Sequence, residues 1–597
     1  MPGIFGIIGH LPAEQCSHLA MLMAETMRCE GFYRSSAGCV PELGVHSGFV
    51  GLKGSSDGIF ANSSNTVLLA FSGECFHGPA LASVDLLIRL YENEGEKMVE
   101  KLNGVFCGIL IDRKRRRILL FNDRYGIQRV YFHAQDGNFY FASEARALLR
   151  ILPRQREFDP DGLTDFLTFG STLNWKTLFR GIEIMPGASL WTFKNGKLRK
   201  EQYFSPETWE TQPPLAPSEF EDRFQLTFKH ILPRYFDSSQ KVGIALTGGL
   251  DTRMIMACRP QNNGHTTCYT FSGNNGWTQD DKIAARVAAA SHLEHSLVRL
   301  DPDFFSNFGE HADKTIFATD GCATIFNSHE IYLNRKAREL APVRLTGNFG
   351  SEILRGHSTL KPASVSPQLF SADWRSRVSA RAESLALERT RTHPVTVAAF
   401  KEIPWHLYGN LAAGRSQLQF RSPYLDNDLV ALAFQTPDPL RKSSLPSCDL
   451  IRASNFPLSE IPTDRGFGSN NSGLRFVARR AFAEVTFKLD YYTVSGLPNS
   501  LALLNSIYTP IVKALRIAGM HKFLRYSAWF RNELTAYVRE VVNSPRVRGN
   551  GFWNPKFIDR LAGIHMSGRR DYSAEINAVM TIEAIERLLF RDLSREI

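Results

Sequence analysis

Lys241-Val-Gly-Ile-Ala-Leu-Thr-Gly-Gly-Leu-Asp-Thr-Arg-Met-Ile255 is the stretch of sequence that decides the fold. Val242 to Leu246 is a continuous apolar run, typical of a parallel strand buried on both faces, and a helix is predicted to begin near Met254. The turn between them has two adjacent glycines, which let several backbone N–H groups point into one concavity. Because a helix N-terminus follows and adds partial positive charge, the turn predicts an anion-binding site.

The glycine spacing of this turn fits neither Gly-x-x-x-x-Gly-Lys-Ser/Thr nor Gly-x-Gly-x-x-Gly. It resembles the Ser-Gly-Gly-x-Asp-Ser loop of the ATP pyrophosphatases, enzymes that split ATP between its α and β phosphates. A carboxylate repels phosphate, so Asp251 is interpreted as the anchor of a divalent cation that bridges it to phosphate oxygens. The alternative is a strand-to-helix turn without a ligand. The predicted ATP contacts in the loop are Leu246, Thr247, Gly248, Gly249, Asp251, Thr252 and Arg253.

Length and composition are those of a globular protein with more than one domain: 597 residues, 43% hydrophobic and 22% charged. No apolar run reaches the ~20 residues that a membrane-spanning helix needs. The first residues lack the basic start and cleavage pattern of a signal peptide. The nine cysteines form no Cys-x-x-Cys pair, which predicts a reducing compartment and no zinc site. We therefore expect a cytoplasmic protein without membrane contact.

The net charge of +10 raises the question of nucleic-acid binding. The densest basic run, Arg113-Lys-Arg-Arg-Arg117, lies between two alternating apolar stretches, where a hairpin turn is exposed to solvent in any case. No stacked aromatic residues accompany it. We therefore expect no nucleic-acid partner.

The N-terminal third alternates short strands with turn signals and contains two predicted helices, Val84 to Glu94 and Gly95 to Leu102. This pattern predicts an α+β domain of layered antiparallel sheets. The predicted strands are Thr66 to Phe71, Val105 to Ile111, Ile118 to Asn122, Val130 to His133 and Phe139 to Ala142.

Several stretches of this region follow one another as in asparagine synthetase. They are Pro2-Gly-Ile-Phe-Gly-Ile, Phe71-Ser-Gly-Glu, Leu90-Tyr-Glu, Leu102-Asn-Gly, Asn122-Asp-Arg-Tyr-Gly126 and Phe141-Ala-Ser-Glu144. The chain therefore resembles the asparagine synthetase B-type family, over nearly its whole length. The resemblance implies two domains, an αββα sandwich of the N-terminal-nucleophile hydrolase type in residues 1–204 and a doubly wound parallel α/β sheet of the ATP-pyrophosphatase type, with extra helices, in residues 218–597. The proline-rich residues 205–217 are the predicted linker.

The first domain departs from the family's glutaminase pattern. In the family a cysteine exposed by loss of the initiator methionine attacks glutamine, with its own α-amine as base; here that position is Pro2. Three groups that bind glutamine are also replaced: Cys29-Glu-Gly-Phe32 stands for His-Arg-Gly-Pro, Ser72 for the asparagine of Asn-Gly-Glu, and Ser83 for an aspartate. We expect a domain that retains the shape and has lost glutamine hydrolysis.

The second domain follows the order strand, helix, strand, helix, and ligands bind such sheets at the C-terminal ends of the strands. The predicted second strand ends at Ser272 and Gly273, which we assign to ATP. After a third strand, Val343 to Thr346, comes Gly347-Asn-Phe-Gly-Ser-Glu352, which resembles the family's Ser-Gly-Glu-Gly-Ala-Asp-Glu. The resemblance assigns Thr346 and Gly347 to ATP and Glu352, with Asp251, to magnesium. Asn348 and Ser351 depart from the pattern.

Two further segments resemble the family's substrate pocket. Arg421-Ser-Pro-Tyr-Leu-Asp426 is similar to Pro-Phe-Leu-Asp, which makes Asp426 a candidate ligand of the substrate amine, with Asn348 beside it; the alternative for Asp426 is a helix N-cap. Ile461-Pro-Thr-Asp-Arg-Gly-Phe-Gly468 resembles Arg-x-Lys-x-Gly-Phe, with Asp464 at the lysine's place and Arg465 one residue later. Arg465 either stabilises charge that develops on the phosphate or pairs with Asp464 on the surface.

The resemblance implies an ATP-dependent carbon–nitrogen ligase that needs ATP and Mg²⁺, activates a carboxylate as its acyl-adenylate and releases AMP and pyrophosphate. The predicted catalytic residues are Asp251, Glu352 and Arg465. The amine is ammonia or belongs to the substrate, as in the lasso-peptide cyclases and β-lactam synthetases, and the carboxylate belongs to a small molecule or a peptide. A non-catalytic scaffold of the same fold is the alternative from another class. The resemblance is also compatible with a homodimer.

Overall fold

The computed structural model describes residues 1–78, 80–260, 266–274, 276–389, 392–468, 473–495, 508, 511–512, 514–515 and 517–591. Within these residues the chain forms two antiparallel sheets near its N-terminus and one parallel sheet in its C-terminal part. No helix of this described part is long and apolar enough to cross a lipid bilayer.

The N-terminal domain contains thirteen described strands, which form two antiparallel sheets. The first sheet has the order β11-β9-β10-β1-β3-β2 once the strands are numbered along the chain, and the second has the order β13-β12-β8-β7-β5-β4, with β6 beside β5. The strands are β1 (Gly3–Ile8), β2 (Tyr33–Val40), β3 (Val45–Leu52), β4 (Gly58–Ala61), β5 (Val67–His77), β6 (Ala80–Leu81), β7 (Asn103–Asp112), β8 (Arg117–Asn122), β9 (Tyr131–Gln135), β10 (Asn138–Ala142), β11 (Glu183–Ile184), β12 (Ser189–Lys194) and β13 (Lys197–Gln202).

These two sheets pack face to face through a buried cluster that includes Ile4, Ile109, Leu120, Phe141 and Trp191. Helices cover their outer faces, so that strands such as β1 and β3 are buried along their whole length. The arrangement is the predicted αββα sandwich. The helices of this domain are Ala13–Met27, Val84–Glu94, Ala145–Ile151 and Pro160–Phe169, with 3-10 helices at Pro41–Leu43, Gly95–Lys101 and Pro153–Gln155.

All five predicted strands of the N-terminal domain are confirmed, with boundaries that differ by a few residues, and so is the helix Val84–Glu94. The predicted α-helix from Gly95 to Leu102 is a 3-10 helix, Gly95–Lys101. Gly95 itself ends the preceding helix with a φ of 65°, a conformation that favours glycine. The turn at Arg113 to Arg117 joins β7 to β8 as the predicted hairpin.

The C-terminal domain is built on five parallel strands in the order β16-β15-β14-β17-β18. Its strands are β14 (Val242–Ala245), β15 (Thr266–Ser272), β16 (His295–Arg299), β17 (Val343–Thr346) and β18 (Gln419–Arg421). Val242 and Ile244 of the central strand face one buried cluster and Ala245 the other, so helices cover both faces of the sheet. The doubly wound parallel sheet is therefore confirmed, and the ends of β14, β15 and β17 meet at one edge.

Helices make up most of the rest of the C-terminal domain. They are Pro217–Phe236, Leu250–Ala257, Gln279–Ala290, Pro302–Ser306, Phe308–Ala318, Ser328–Leu340, Gly350–Arg355, Ala372–Arg389, Pro394–Val397, Tyr408–Arg415, Asn427–Phe434, Leu445–Ser454, Phe456–Glu460, Gly473–Ser495, Tyr526–Arg531, Thr535–Val542, Pro545–Gly549, Pro555–Met566 and Ser573–Ile585. Shorter 3-10 segments are Ile325–Asn327, Pro367–Leu369, Pro423–Leu425 and Asp438–Leu440, and π-helical turns are Ala398–His406 and Glu586–Arg591.

The predicted linker is more ordered than its proline content suggests. It contains the short helix Glu207–Glu210, whose Trp209 is buried with its ring centroid 4.5 Å from that of Phe204 and 5.8 Å from that of Phe434. Since Phe434 belongs to the C-terminal domain, this connection is packed rather than extended. The apolar pattern of residues 218–233 predicts a helix that ends at Pro233, whereas the helix of the structure, Pro217–Phe236, continues three residues further.

Candidate active site

The predicted anion-binding turn lies between β14 and the helix Leu250–Ala257. The N–H of Gly248 donates to Oδ1 of Asp280 at 2.8 Å, and its carbonyl accepts from the N–H of Asp464 at 3.1 Å. A Cβ on Gly248 would lie 2.7 Å from Asp280 Oδ1 and 3.1 Å from the Cβ of Asp464. Only glycine allows three chain segments to approach this closely. Burial, with the charge of Asp464, raises the pKa of Asp280 to about 6.

The hydroxyls of the turn differ in their access to solvent. Thr247 is exposed, whereas Thr252 is buried and lies with its Oγ1 3.2 Å from that of Thr247. The N–H of Gly249 donates to Thr247 Oγ1 at 3.3 Å. Leu246 is buried and its N–H donates to the carbonyl of Tyr269 at 2.8 Å. The exposed hydroxyl of Thr247 is therefore the part of the turn that an anion can reach, because the N–H groups of Gly248 and Gly249 already have protein acceptors.

The segment after β17 packs directly on the start of the helix Leu250–Ala257. A Cβ on Gly347 would lie 2.6 Å from the backbone nitrogen of Thr252, and one on Gly350 would lie 2.5 Å from Cγ of Asp251. Phe349 between them has a φ of 75°, which is rare for a bulky residue. The two glycines thus allow the segment Thr346 to Glu352 to pack against the loop. This agrees with the expectation that the C-terminal ends of β14 and β17 lie at the same edge of the sheet.

Asp251 does not face the solvent as a free carboxylate. Nη2 of Arg355 lies 2.7 Å from both of its carboxylate oxygens, and Oγ of Ser351 donates to Oδ2 at 3.2 Å. The hydroxyl of Tyr424 donates to the backbone carbonyl of Asp251 at 2.7 Å. Burial disfavours the charged form of Arg355, but the neighbouring carboxylate of Asp251 outweighs this effect and raises the pKa of Arg355 above its usual value.

Glu352 is half-buried and lies in a cleft that also contains Asp251 and Arg355. Burial, with the charges of Glu402 and Asp251, raises its pKa to about 7. Mg²⁺ prefers ionised oxygen ligands in near-octahedral geometry. Because both carboxylate oxygens of Asp251 are bonded to Arg355, whose positive charge repels a cation, the two predicted ligands do not fit a magnesium site as they are arranged. No cluster of three or more His, Cys, Asp or Glu side chains suited to a metal occurs among the residues described.

Arg253 occupies a different place from the one predicted. Its side chain is buried and donates through Nη1 to the carbonyl of Ile461 and through Nη2 to that of Gly248, at 3.4 Å for the second contact. Burial lowers its pKa to about 10, which leaves it charged at neutral pH. Arg253 therefore ties the loop to the segment 461–468 and does not line the cleft, which corrects its assignment to ATP.

Arg465 lies on the wall of this cleft, with 41% of its side chain exposed. Its Nε is 3.6 Å from Oδ2 of Asp464 and its Nη1 3.6 Å from Oε2 of Glu484. The guanidinium stacks over the ring of Phe487 at 3.6 Å from the centroid. The segment therefore reaches the loop, as predicted, and Arg465 also makes the ion pair with Asp464 that the alternative interpretation requires.

The end of β15 is engaged by other protein groups. Ser272 is buried; its Oγ donates to Asp281 at 2.8 Å and accepts from Arg299 at 3.3 Å. A Cβ on Gly273 would lie 3.1 Å from the Cβ of Phe523. The backbone of these residues lies at the C-terminal edge of the parallel sheet, whereas the hydroxyl of Ser272 belongs to a buried hydrogen-bond network.

Asp426 is not brought to the cleft. It is fully buried and accepts hydrogen bonds from Arg234, Tyr235 and Asn103 and from the N–H of Asp428. The last contact caps the helix Asn427–Phe434, which supports the N-cap interpretation. Asn348, by contrast, is exposed, and its Oδ1 accepts from Thr346 at 2.9 Å.

The cleft that joins these segments has a volume of about 1150 Å³. Four cationic side chains line it: Arg355, Lys442, Arg465 and Arg480. The sequence prediction included only one of them, Arg465. Arg355 could have been suspected from its position one helical turn after Ser351, since such residues share a helix face; the contribution of Lys442 depends on tertiary packing and gives no signal in the sequence.

Comparison with known families now identifies the two domains. The family model of the asparagine synthase domain matches residues 225–445, and that of a glutamine amidotransferase domain matches residues 69–204. Together they cover more than half of the chain, which also matches curated asparagine synthetases. The chain belongs to the asparagine synthetase family.

Relatives in the asparagine synthetase family are distant. Asparagine synthetase [glutamine-hydrolyzing] 3 of Arabidopsis thaliana is 23% identical over 51% of this chain and 51% of its own length, and the protein of the same name in Bacillus subtilis (strain 168) is 24% identical over 48% of each. The chain thus spans about half the length of these curated relatives. A solved structure, the glutamine phosphoribosylpyrophosphate amidotransferase from B. subtilis, shares 10% identity with a TM-score of 0.24 over 63% of this chain and 89% of its own.

In this member of the asparagine synthetase family, a cavity of about 70 Å³ lined by residues of both domains includes Pro2 in its wall, at the position where the resemblance places a nucleophilic cysteine. Glu74, retained from the family's Asn-Gly-Glu, is ion-paired with Arg421 of the C-terminal domain, whose Nη2 lies 2.6 Å from Oε1. Asp57, also on the cavity wall, has its pKa raised by burial. The acidic group that remains for an amino-acid substrate is therefore occupied by an arginine.

No nearby thiol compensates for Pro2. Cys107 is fully buried, 3.5 Å from Oγ of Ser143, and burial raises its pKa to about 12. Burial likewise raises the pKa of Cys75 to about 12. Since the thiolate is the nucleophile, these cysteines are unreactive at neutral pH. Ser83 caps the helix Val84–Glu94 by accepting from the N–H of Leu86, so it does not bind an ammonium group.

Proposed function

We propose that this protein is an ATP-dependent amide-forming ligase, which activates a carboxylate as its acyl-adenylate and transfers the acyl group to ammonia or an amine. The observation that carries the proposal is the convergence of three segments on one cleft: the loop at Gly249 and Asp251, the turn at Ser351 to Arg355, and the segment Thr463 to Phe467. Membership of the asparagine synthetase family supports the reaction class.

The chemistry of the cleft suits a reaction that separates pyrophosphate from an adenylate. The exposed Thr247 and the N-terminus of the helix Leu250–Ala257 favour the phosphates. Arg355 and Arg465 on the walls provide positive charge where negative charge develops, in a site that partly excludes water. Each of these groups contributes by position and charge. A bound Mg²⁺ is not required by the arrangement of the described side chains.

The amine is proposed to come from solution or from the substrate itself, because the N-terminal domain lacks the groups that release ammonia from glutamine. Ammonia would make the protein an ammonia-using asparagine synthetase with aspartate as carboxylate. An internal amine would make it a cyclase of a peptide or natural product. The cleft volume, about 1150 Å³, lies near the upper end of the ~300–1,000 Å³ usual for small ligands, so it accommodates either substrate.

The decisive experiment follows AMP and pyrophosphate. Purified protein is incubated with ATP, ammonium and L-aspartate, and then with peptide carboxylates in place of aspartate. Release of both products that depends on the carboxylate supports the ligase. ATP binding without turnover on any carboxylate would favour the scaffold, for which Asn348, Ser351 and the ion pair of Asp251 with Arg355 are the structural arguments.

Glutamine is expected not to serve as the nitrogen donor. Pro2 supplies no thiol, Glu74 is held by Arg421, and the buried thiols of Cys75 and Cys107 stay protonated. We expect no glutamate above the buffer blank when the homogeneous protein is incubated with glutamine, with or without ATP. Turnover that copurifies with the protein through several columns would contradict this prediction; an authentic glutaminase serves as the positive control.

Arg465→Ala is expected to lower the rate of ATP–pyrophosphate exchange on the order of 10²-fold, as loss of a preorganised charge does. Arg465→Lys should recover part of the rate, since the charge is kept without the paired N–H groups. Arg480→Ala, on the same wall, is the matched comparison. If both Arg465 variants exchange pyrophosphate as fast as the wild type, Arg465 only pairs with Asp464 and Glu484.

A further inference from the structure

The ion pair between Asp251 and Arg355 is the most unusual feature of the nucleotide cleft. The Arg355 side chain is 7% exposed and that of Asp251 is 17% exposed, so the pair lies at the bottom of the cleft rather than on the surface. One nitrogen, Nη2, lies 2.7 Å from both carboxylate oxygens and 2.9 Å from Oγ of Ser351. The anionic face of Asp251 is thus already neutralised by a protein cation.

The backbone holds this pair in place. Arg355 ends the single-turn helix Gly350–Arg355, whose first residue lies so close to Asp251 that a Cβ would be 2.5 Å from Cγ of the carboxylate. Its Nη1 lies 3.4 Å from Oγ of Ser447, a buried residue of the helix Leu445–Ser454. Because the helix start cannot move away from the loop without breaking this contact, the guanidinium and the carboxylate are held together by the fold.

The same turn lacks the groups that a divalent cation needs. Ser351 stands where the family's segment has an aspartate, and its hydroxyl donates to Asp251 at 3.2 Å instead of offering a second charge. A divalent ion at Asp251 would therefore have one carboxylate, already bonded, and a neighbouring positive charge that repels it.

We infer that Arg355, in place of a divalent cation, links Asp251 to the phosphates of the bound nucleotide. The inference rests on the proposed nucleotide site. A guanidinium presents five N–H donors in one plane. Arg355 can therefore bond the carboxylate of Asp251 through Nη2 and phosphate oxygens through its remaining donors. Its charge is permanent and fixed by the fold, so the site binds nucleotide without metal. Arg355 touches the nucleotide in this arrangement and determines the metal requirement of the site.

The test measures ATP binding to the full-length protein by isothermal titration calorimetry, in excess EDTA and in excess MgCl₂. For the wild type we expect dissociation constants that agree within about threefold in the two buffers. Arg355→Ala should weaken binding at least about tenfold in both. Arg223→Ala, an exposed arginine on the helix Pro217–Phe236, is the control for loss of a charge and should bind as the wild type does.

Replacing the positive charge of Arg355 by a second carboxylate at position 351 is expected to make ATP binding depend on Mg²⁺. In the double variant Ser351→Asp with Arg355→Ala, two carboxylates face the cleft without a guanidinium, and we expect ATP to bind at least about tenfold more tightly in MgCl₂ than in EDTA. Wild-type binding that occurs only with Mg²⁺ would overturn the inference and leave the nucleotide site standing. Absence of ATP binding in both buffers would overturn the nucleotide site itself, and the inference with it.

Discussion

Asp251→Asn is expected to reduce ATP–pyrophosphate exchange by about 10³-fold while the protein stays folded. The substitution keeps the shape of the side chain but removes the charge that orients Arg355, which lies 2.7 Å from both carboxylate oxygens. An amide retains one acceptor oxygen and places a donor against the guanidinium. Arg355 then loses its fixed position in the cleft, and the site loses the cation that faces the phosphates.

The controls for Asp251→Asn separate charge from geometry. Asp251→Glu keeps the charge but displaces it by one methylene, so we expect an intermediate rate, about tenfold to a hundredfold below the wild type. Asp222→Asn removes a charge from an exposed position on the helix Pro217–Phe236 and should leave the rate unchanged. Circular dichroism of each variant confirms the fold. Wild-type exchange by Asp251→Asn would mean that Asp251 is only a structural residue at the start of its helix.

The sequence predicted the fold well because the signals for it are local. The apolar run at Val242 to Leu246 and the alternation in Val105 to Ile111 depend only on which faces of a strand are buried, and both strands are found with small shifts. Errors occur where tertiary packing overrides a local preference. The amphipathic pattern of residues 530–540 predicts one helix, but the structure has two, Tyr526–Arg531 and Thr535–Val542, with a break that begins at Asn532.

The candidate site could be predicted only in part. The loop after β14 and the segment after β17 lie side by side, because the C-terminal ends of neighbouring parallel strands meet at one edge of the sheet. The segment before Gly466 also contacts the loop, through the N–H of Asp464. The partners of the charged side chains could not be foreseen. Arg253 turns inward to two carbonyls and Arg355 reaches Asp251, and these choices depend on which groups the folded backbone leaves unsatisfied.

Asp426 belongs to a segment that resembles a substrate-binding motif, but the structure gives its carboxylate other partners. The carboxylate accepts from Arg234 at 3.0 Å, from Tyr235 at 3.1 Å and from Asn103 of the N-terminal domain at 3.1 Å, besides capping its helix. Burial raises its pKa, yet Arg234 opposes this rise. A buried carboxylate with this many partners is expected to hold the two domains together rather than to bind a substrate amine.

Asp426→Ala is accordingly expected to destabilise the protein by about 3–5 kcal/mol, because it leaves Arg234, 5% exposed, without its buried partner. Thermal unfolding should show a midpoint lowered by several degrees. The matched control is Asp159→Ala, which removes the N-cap of the helix Pro160–Phe169 and should cost about 1 kcal/mol. Replacing both charges, Asp426→Leu with Arg234→Met, should recover much of the loss, since no unpaired charge remains buried. A variant of Asp426 with wild-type stability but a raised KM for the carboxylate substrate would return this residue to the substrate pocket.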